Sequence, residues 1–365
     1  MVTMWLGVWT RAVIAPASRR ALGVWIGSGI VGAVIFGPTA MQPVDVTQLA
    51  LHVPTFGIAI AITWLLLFAP TARVLVRAEG ATYLRSLPAP RWTPRVIAAS
   101  ALVWLQLPWL ALWLLGEGVH GLAIVLAFTA PIIALASWRP RPPRAGWPRW
   151  RGDRAALRGV YLRALRRRAG DALVRHIGLS ILAGLAAGLF IHNNAFVDER
   201  AAVLGAGVIA IVLVPGAVGT LLPLVDVHHA SAPLASSLGM SAPARVAVLA
   251  SVVAIVYAGG AAIAAAAAAL ELDVVTLAWL AAAAVALALA MSLVATRMAV
   301  WADRGEPVAD APKDIVSRND AAVRVVIGGV VAAALAVICL GALGIAGVLA
   351  MLVIGIAAVL TTRPS

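Results

Sequence analysis

Apolar runs of about twenty residues recur along almost the whole chain, separated by short stretches where arginine, proline and acidic residues gather. A bilayer core about 30 Å thick takes roughly 20 apolar residues of helix per crossing. A helix also satisfies its own backbone where no water can. The pattern therefore predicts an all-α polytopic membrane protein with about ten transmembrane helices, near 22–41, 47–70, 96–116, 118–138, 176–194, 201–222, 246–270, 273–295, 323–341 and 343–361.

The polar positions sort by side. With a cytoplasmic N-terminus, alternate loops carry Arg11, Arg19 and Arg20, then Arg73 to Arg95, then the run from Arg139 to Arg175, and later Arg245, Arg297, Arg304, Lys313, Arg318, Arg324 and Arg363. Arg200 alone falls on the other side, with Asp45, Glu117, Asp198, Glu199, Glu271 and Asp273. The positive-inside rule thus predicts a multi-pass protein of the bacterial inner membrane with both termini in the cytoplasm. No short apolar region followed by a small-residue cleavage site opens the chain, so Met1 is expected to be retained.

Composition agrees: 62 % of residues are hydrophobic and 12 % charged, too few polar groups to cover a water-soluble surface. The net charge of +13 would suggest nucleic acid in a soluble protein, but its segregation to one face points to anionic lipid instead. The single cysteine, Cys339, sits in a predicted span, so neither an intrachain disulfide nor a multi-cysteine metal site follows.

The chain also matches itself at a spacing of about 150 residues. Gly7-Val8-Trp9-Thr10-Arg11-Ala12 parallels Gly159-Val160-Tyr161-Leu162-Arg163-Ala164, and Ser86-Leu87 with Arg95-Val96 parallels Ser237-Leu238 with Arg245-Val246. This predicts a parallel repeat, each copy holding a leading amphipathic helix and four spans: residues 1–138 with a cytoplasmic loop at 71–95, and 153–296 with a loop at 223–245. A basic, proline-rich linker at 139–152 joins the copies, and a cytoplasmic loop at 297–322 leads to a two-span hairpin at 323–365.

Acidic residues lie only in loops or near span ends, so the usual ionisable group of an ion-coupled carrier is not visible. No Gly-x-x-x-x-Gly-Lys-Ser/Thr loop occurs and Lys313 is the only lysine, so any nucleotide-driven work needs a partner.

Arg77-Ala78-Glu79-Gly80-Ala81-Thr82-Tyr83-Leu84-Arg85-Ser86-Leu87-Pro88-Ala89-Pro90 reads as a short cytoplasmic helix ended by proline. It resembles the coupling-helix segment of type-2 ATP-binding-cassette exporter permeases, matching at Glu79, Gly80, Thr82, Leu84, Leu87 and Pro88, with Thr82 one place late and a second glutamate missing. The resemblance implies an ATPase-coupling role for this segment, Arg85 included. It also implies that ATP and magnesium are held by a separate cytoplasmic ATPase subunit, with no cofactor and no catalytic residue in this chain. One chain could then serve as a pseudo-dimer, or two as a homodimer.

In the second copy, Asp226, His228 and His229 suit either a zinc or acid–base site or a second, diverged coupling loop ending at Ser237 and Leu238. The helix near 153–175 sets Leu157, Tyr161, Leu165 and Leu173 against Arg158, Arg163, Arg166, Arg167 and Arg168. That pattern suits an interfacial helix on anionic head groups, with nucleic acid disfavoured and an anionic-substrate gate as a third reading. Gly29 and Gly32 in the first span, and Gly184 and Gly188 in the fifth, form small-residue faces for helix packing. The alanine run at 261–269 predicts a thin, closely packed seventh span. Trp104, Trp109 and Trp113 recur at near-helical spacing and are expected to anchor in lipid, with an apolar pathway as the alternative.

These readings converge on a permease subunit moving a hydrophobic or amphipathic substrate (lipid, peptide or drug). The alternative is a polytopic enzyme acting on a lipid-linked substrate at the cytoplasmic interface through Asp226, His228 and His229.

Overall fold

A computed structural model describes residues 7–37, 41–78, 93–138, 152–194 and 199–302, with isolated helical positions between 338 and 357. The described residues are helical, with no strand among them. Six helices among them are long and apolar enough to cross a membrane: Gly7–Phe36, Pro54–Arg77, Leu107–Ser137, Gly170–Asn193, Ala242–Ala268 and Val274–Arg297. The chain is a helical membrane protein that crosses the bilayer several times. The predicted hairpin over 323–361, the coupling segment at 79–90, and the linker and loop at 139–151 and 303–322 fall outside the described residues.

The chain divides into two compact units, Met1–Arg144 and Ala145–Ser365. The first contains α1 (Gly7–Phe36, with a π-turn at Thr10–Ile14), α2 (Pro43–His52), α3 (Pro54–Arg77), α4 (Thr93–Leu105) and α5 (Leu107–Ser137). The span expected at 47–70 is corrected here: extended Val53 separates α2 from α3, and Pro54 stands at the start of α3, where its missing N–H costs nothing.

Helix α5 breaks at Gly118, whose φ of 58° and ψ of −131° lie outside the helical region. A Cβ at Gly121 would fall against the backbone of Trp113, eight residues earlier, which a straight helix would hold about 12 Å away. The chain therefore folds back at Gly118, at the boundary expected between 96–116 and 118–138. Helix α2 lies on this turn, where the Thr47 hydroxyl donates to Glu117 Oε1 at 2.9 Å.

The second unit contains α6 (Asp153–Arg168), α7 (Gly170–Asn193), α8 (Glu199–Ser237), α9 (Ala242–Ala268) and α10 (Val274–Ala302). Asp273 caps α10 by accepting the N–H groups of Val275 and Thr276, both at 3.1 Å. The Thr276 hydroxyl and these amides hold its carboxyl below its ordinary value. Helices α7, α8 and α9 pack on one another, α10 packs on α8 and α9, and α6 lies across α8 and α9.

The centre of this unit is a spine of small residues. A Cβ at Gly184 would fall against the Ala264 backbone, and one at Gly188 would lie 3.3 Å from the Ala268 carbonyl. Gly260 faces His176 and Ser180 one turn earlier. Residues 176, 180, 184 and 188 of α7 thus meet 260, 264 and 268 of α9 at helical spacing. In a membrane, where apolar side chains gain little by leaving lipid, close backbone approach is what holds helices together. The alanine run is the second half of that contact. Gly29 and Gly32 do not play the expected part within their unit: nothing comes within 4 Å of a Cβ at Gly29, and only Phe36 of the same helix nears Gly32.

Candidate functional site

The titratable cluster singled out in the second copy does not sit in a loop. Helix α8 runs on through Pro223 to Ser237, and only residues 238–241 connect it to α9, with Gly239 at φ 73° closing the turn. The loop expected over 223–245 is therefore mostly helix. The reason is burial: His228 is 6 % exposed, facing α6, and packing of that side chain carries the helix past its apolar portion.

The partner is Tyr161, fully buried on the inner face of α6 with Leu157 and Leu165 beside it. The Tyr161 hydroxyl donates to Nδ1 of His228 at 2.8 Å. Burial, then the neighbouring His229 and Arg245, pushes the imidazole down to about 4, and burial pushes the phenol up to about 12. Both groups are neutral at pH 7, which suits a phenol O–H donating to a bare ring nitrogen. The Ser231 hydroxyl donates to the His228 carbonyl at 3.1 Å, and Arg245 Nη1 donates to the Ala232 carbonyl at 2.8 Å. The start of α9, the end of α8 and the middle of α6 are thereby tied at one polar junction.

His229 stands edge-on to His228 with ring centroids 5.4 Å apart, but it is exposed where His228 is enclosed. The two rings do not converge on a common point, and Nδ1 of His228 is already engaged. Among the described residues no group of three or more His, Cys, Asp or Glu is placed to hold a metal ion. Ser237 and Leu238 are exposed at the turn. On α6, Arg158, Arg163, Arg166, Arg167 and Arg168 are exposed, while Leu157, Tyr161 and Leu165 are buried. Leu173 lies beyond the break at Ala169 and belongs to α7.

His228 makes stability depend on pH. The unfolded chain takes up a proton near the ordinary imidazole value of about 6.5, while the folded protein resists it until about 4. Its contribution is fully present above about 6.5 and is lost as pH falls toward 4. The thermal midpoint in detergent is expected to drop between pH 7 and pH 5, and His228→Gln to flatten that drop. An unchanged slope in the variant would mean that His228 is not the group responsible.

Two further polar centres went unread in the sequence. His176 is 1 % exposed among α7, α8 and α9, with Nε2–H donating to the Val256 carbonyl at 3.2 Å and Nδ1 left without a partner among the described residues. It stands where a span was expected to begin, so it read as a boundary.

In the first unit, Gln106 is fully buried where α4 gives way to α5. Its Oε1 accepts the Trp64 indole N–H at 2.7 Å, and its Nε2 donates to the Leu102 carbonyl at 3.2 Å. The indole of Trp25 donates to the Leu105 carbonyl at 2.7 Å. Trp64 stacks on Trp109, Trp113 and Phe128, with centroids 5.2, 6.2 and 4.6 Å away. This corrects the expected lipid anchoring of the three tryptophans. Trp104 is 62 % exposed, but Trp109 and Trp113 are buried because one helix face turns them toward Trp64. The Gln106-Leu107-Pro108 step inside an apolar run was the available signal.

Compared with known proteins, the chain matches no family model, no curated protein and no solved structure.

Proposed function

We propose that the chain is the membrane subunit of an ATP-binding-cassette exporter. It would move a hydrophobic or amphipathic substrate while a separate cytoplasmic ATPase binds ATP and magnesium. The observation that carries this reading is the segment Glu79 to Pro88, with its acidic, Gly, Thr, Leu and Pro positions, set directly after a membrane helix. In support, α3 ends at Ala78 in the left-handed conformation, φ 45° and ψ 42°. That geometry is unfavourable for alanine and terminates the helix just before the segment begins.

The polar junction of the second unit supports the same reading. A basic helix bonded through Tyr161 and His228 to the long helix α8, which Arg245 ties in turn to α9, can carry a push at the membrane face into the membrane. The exposed arginines of α6 would rest on anionic head groups. We extend the reading to ten spans in a parallel repeat, with termini in the cytoplasm of a bacterial cell and the C-terminal hairpin completing the count. One chain then engages two ATPase subunits if Ser237 and Leu238 also couple, and two chains assemble if they do not.

The test is affinity purification of the tagged chain in mild detergent with identification of its partners, followed by ATPase assays. A nucleotide-binding subunit is expected to co-purify in fixed ratio, and Glu79→Arg to lower the chain-dependent stimulation of hydrolysis at least about tenfold, the effect of roughly 1.4 kcal/mol lost at the docking site. A chain that purifies alone, with no dependent ATPase in native membranes, would overturn the proposal.

A further inference from the structure

The first unit holds a broken helix at membrane depth. Pro108 has no N–H to return to the helix, and Gln106 has left helical geometry with φ −88° and ψ 13°. Gln106 stands about 12 residues, roughly 18 Å of helical rise, from the turn at Gly118. In a core about 30 Å thick this is close to the middle. Irregular backbone at that depth persists only where protein groups satisfy it or where it lines a cavity, and such breaks are where membrane transporters build their binding sites. Here Trp25 and Gln106 supply the satisfying groups.

Several buried polar groups of this unit remain unsatisfied, and two of them belong to the aromatic cluster. The indole N–H groups of Trp109 and Trp113, one turn apart, are buried without an acceptor, while the side chains are 3 % and 5 % exposed. A buried donor without a partner is rare in a native protein and points to an occupant that brings the acceptor. Beside the break an open groove of about 280 Å³ runs between Ile14 of α1 and Val96, Ser100, Trp104 and Leu105 of α4, almost wholly apolar. It ends at Leu105, next to Gln106, and its volume lies just below the usual range for small-molecule sites.

We infer that this break is a binding site for an uncharged ligand carrying aromatic rings and a carbonyl-type acceptor. Such a ligand occupies the α4 groove, reaches past Leu105 to the edge of the Trp64, Trp109 and Trp113 stack and accepts from the free indole N–H groups. An uncharged ligand fits because no ionisable side chain lines the groove. The inference goes beyond the exporter reading, since binding needs this chain alone and its failure would leave the ATPase partner untouched.

The test uses benzophenone, an uncharged two-ring ketone that crosslinks on illumination, with the full chain in lipid nanodiscs and the adducts mapped by mass spectrometry. Labelling is expected to saturate and to map around Trp64, Gln106 and Trp109. Diphenylmethane has the same rings but no carbonyl, and it should compete about tenfold less well than unlabelled benzophenone, a difference of about 1.4 kcal/mol. Trp109→Phe with Trp113→Phe should abolish that preference for the ketone, and Trp138→Phe, exposed at the end of α5 and away from the groove, should not. Labelling that fails to saturate and spreads over exposed positions outside the groove, such as Ile58 and Leu115, would overturn the proposal, as would equal competition by the hydrocarbon. The wild-type map and the competition decide the matter even where the double variant does not assemble.

Discussion

Gly184→Leu is expected to prevent the second unit from assembling, so that little of the variant elutes as a single species in mild detergent. The first atom added at this position falls against the backbone of Ala264, and backbone cannot swing aside as a side chain can. Helices α7 and α9 must therefore separate, which undoes the Gly188 contact with Ala268 and the closure of Gly260 over His176 and Ser180. Overpacking where neighbours can adjust costs about 1–3 kcal/mol. Here the whole interface moves, and van der Waals contact is what holds membrane helices together. A loss above about 3 kcal/mol is expected, against a total stability of about 5–15 kcal/mol for an ordinary domain. Gly29→Leu is the control, because nothing lies within 4 Å of its added atom, and it should shift the thermal midpoint by no more than an exposed substitution does. Equal behaviour of the two variants would mean that the α7–α9 crossing does not carry the unit.

That contrast also shows how far residue pattern reaches. Gly29-x-x-Gly32 and Gly184-x-x-x-Gly188 are equally small on paper, and only the second meets another helix within its unit. The pattern tells which residues permit close approach, while the neighbour that exploits it comes from the rest of the chain. The apolar runs were readable for the same reason in reverse: crossing a bilayer is a local requirement, met by length and composition of one segment. Where a local rule met a tertiary one, the tertiary one prevailed. His228 and Pro223 looked like loop because they are polar or helix-breaking, yet burial of the imidazole against Tyr161 extends α8 through them. Trp109 and Trp113 looked like interface anchors by type, and stacking on Trp64 draws them inside. His176 and Gln106 were each a single polar residue in an apolar stretch, and a lone polar residue carries no periodicity to be read.

The broken helix of the first unit leads to the second large effect, at Trp64. Trp64→Ala removes a fully buried indole that stacks on three aromatic rings, a truncation worth about 3–5 kcal/mol before the aromatic pairing itself is counted. It also strands Gln106 Oε1, whose acceptor loses its 2.7 Å donor in a place water cannot reach. The variant is expected to lose most of its folded material in mild detergent. Trp64→Phe keeps the stack and deletes the N–H, so it isolates the hydrogen bond and should cost about 1–3 kcal/mol. Gln106→Leu should cost at least as much, because it leaves the indole N–H unpaired and removes the donor to the Leu102 carbonyl. The two changes made together should then cost clearly less than their sum, since the double variant leaves neither partner stranded, and coupling of that kind is what a double-mutant cycle measures. Thermal midpoints of the four proteins in one detergent supply the cycle. Additive costs would mean that the indole and the amide do not depend on each other, and that the stack alone holds the broken helix in place.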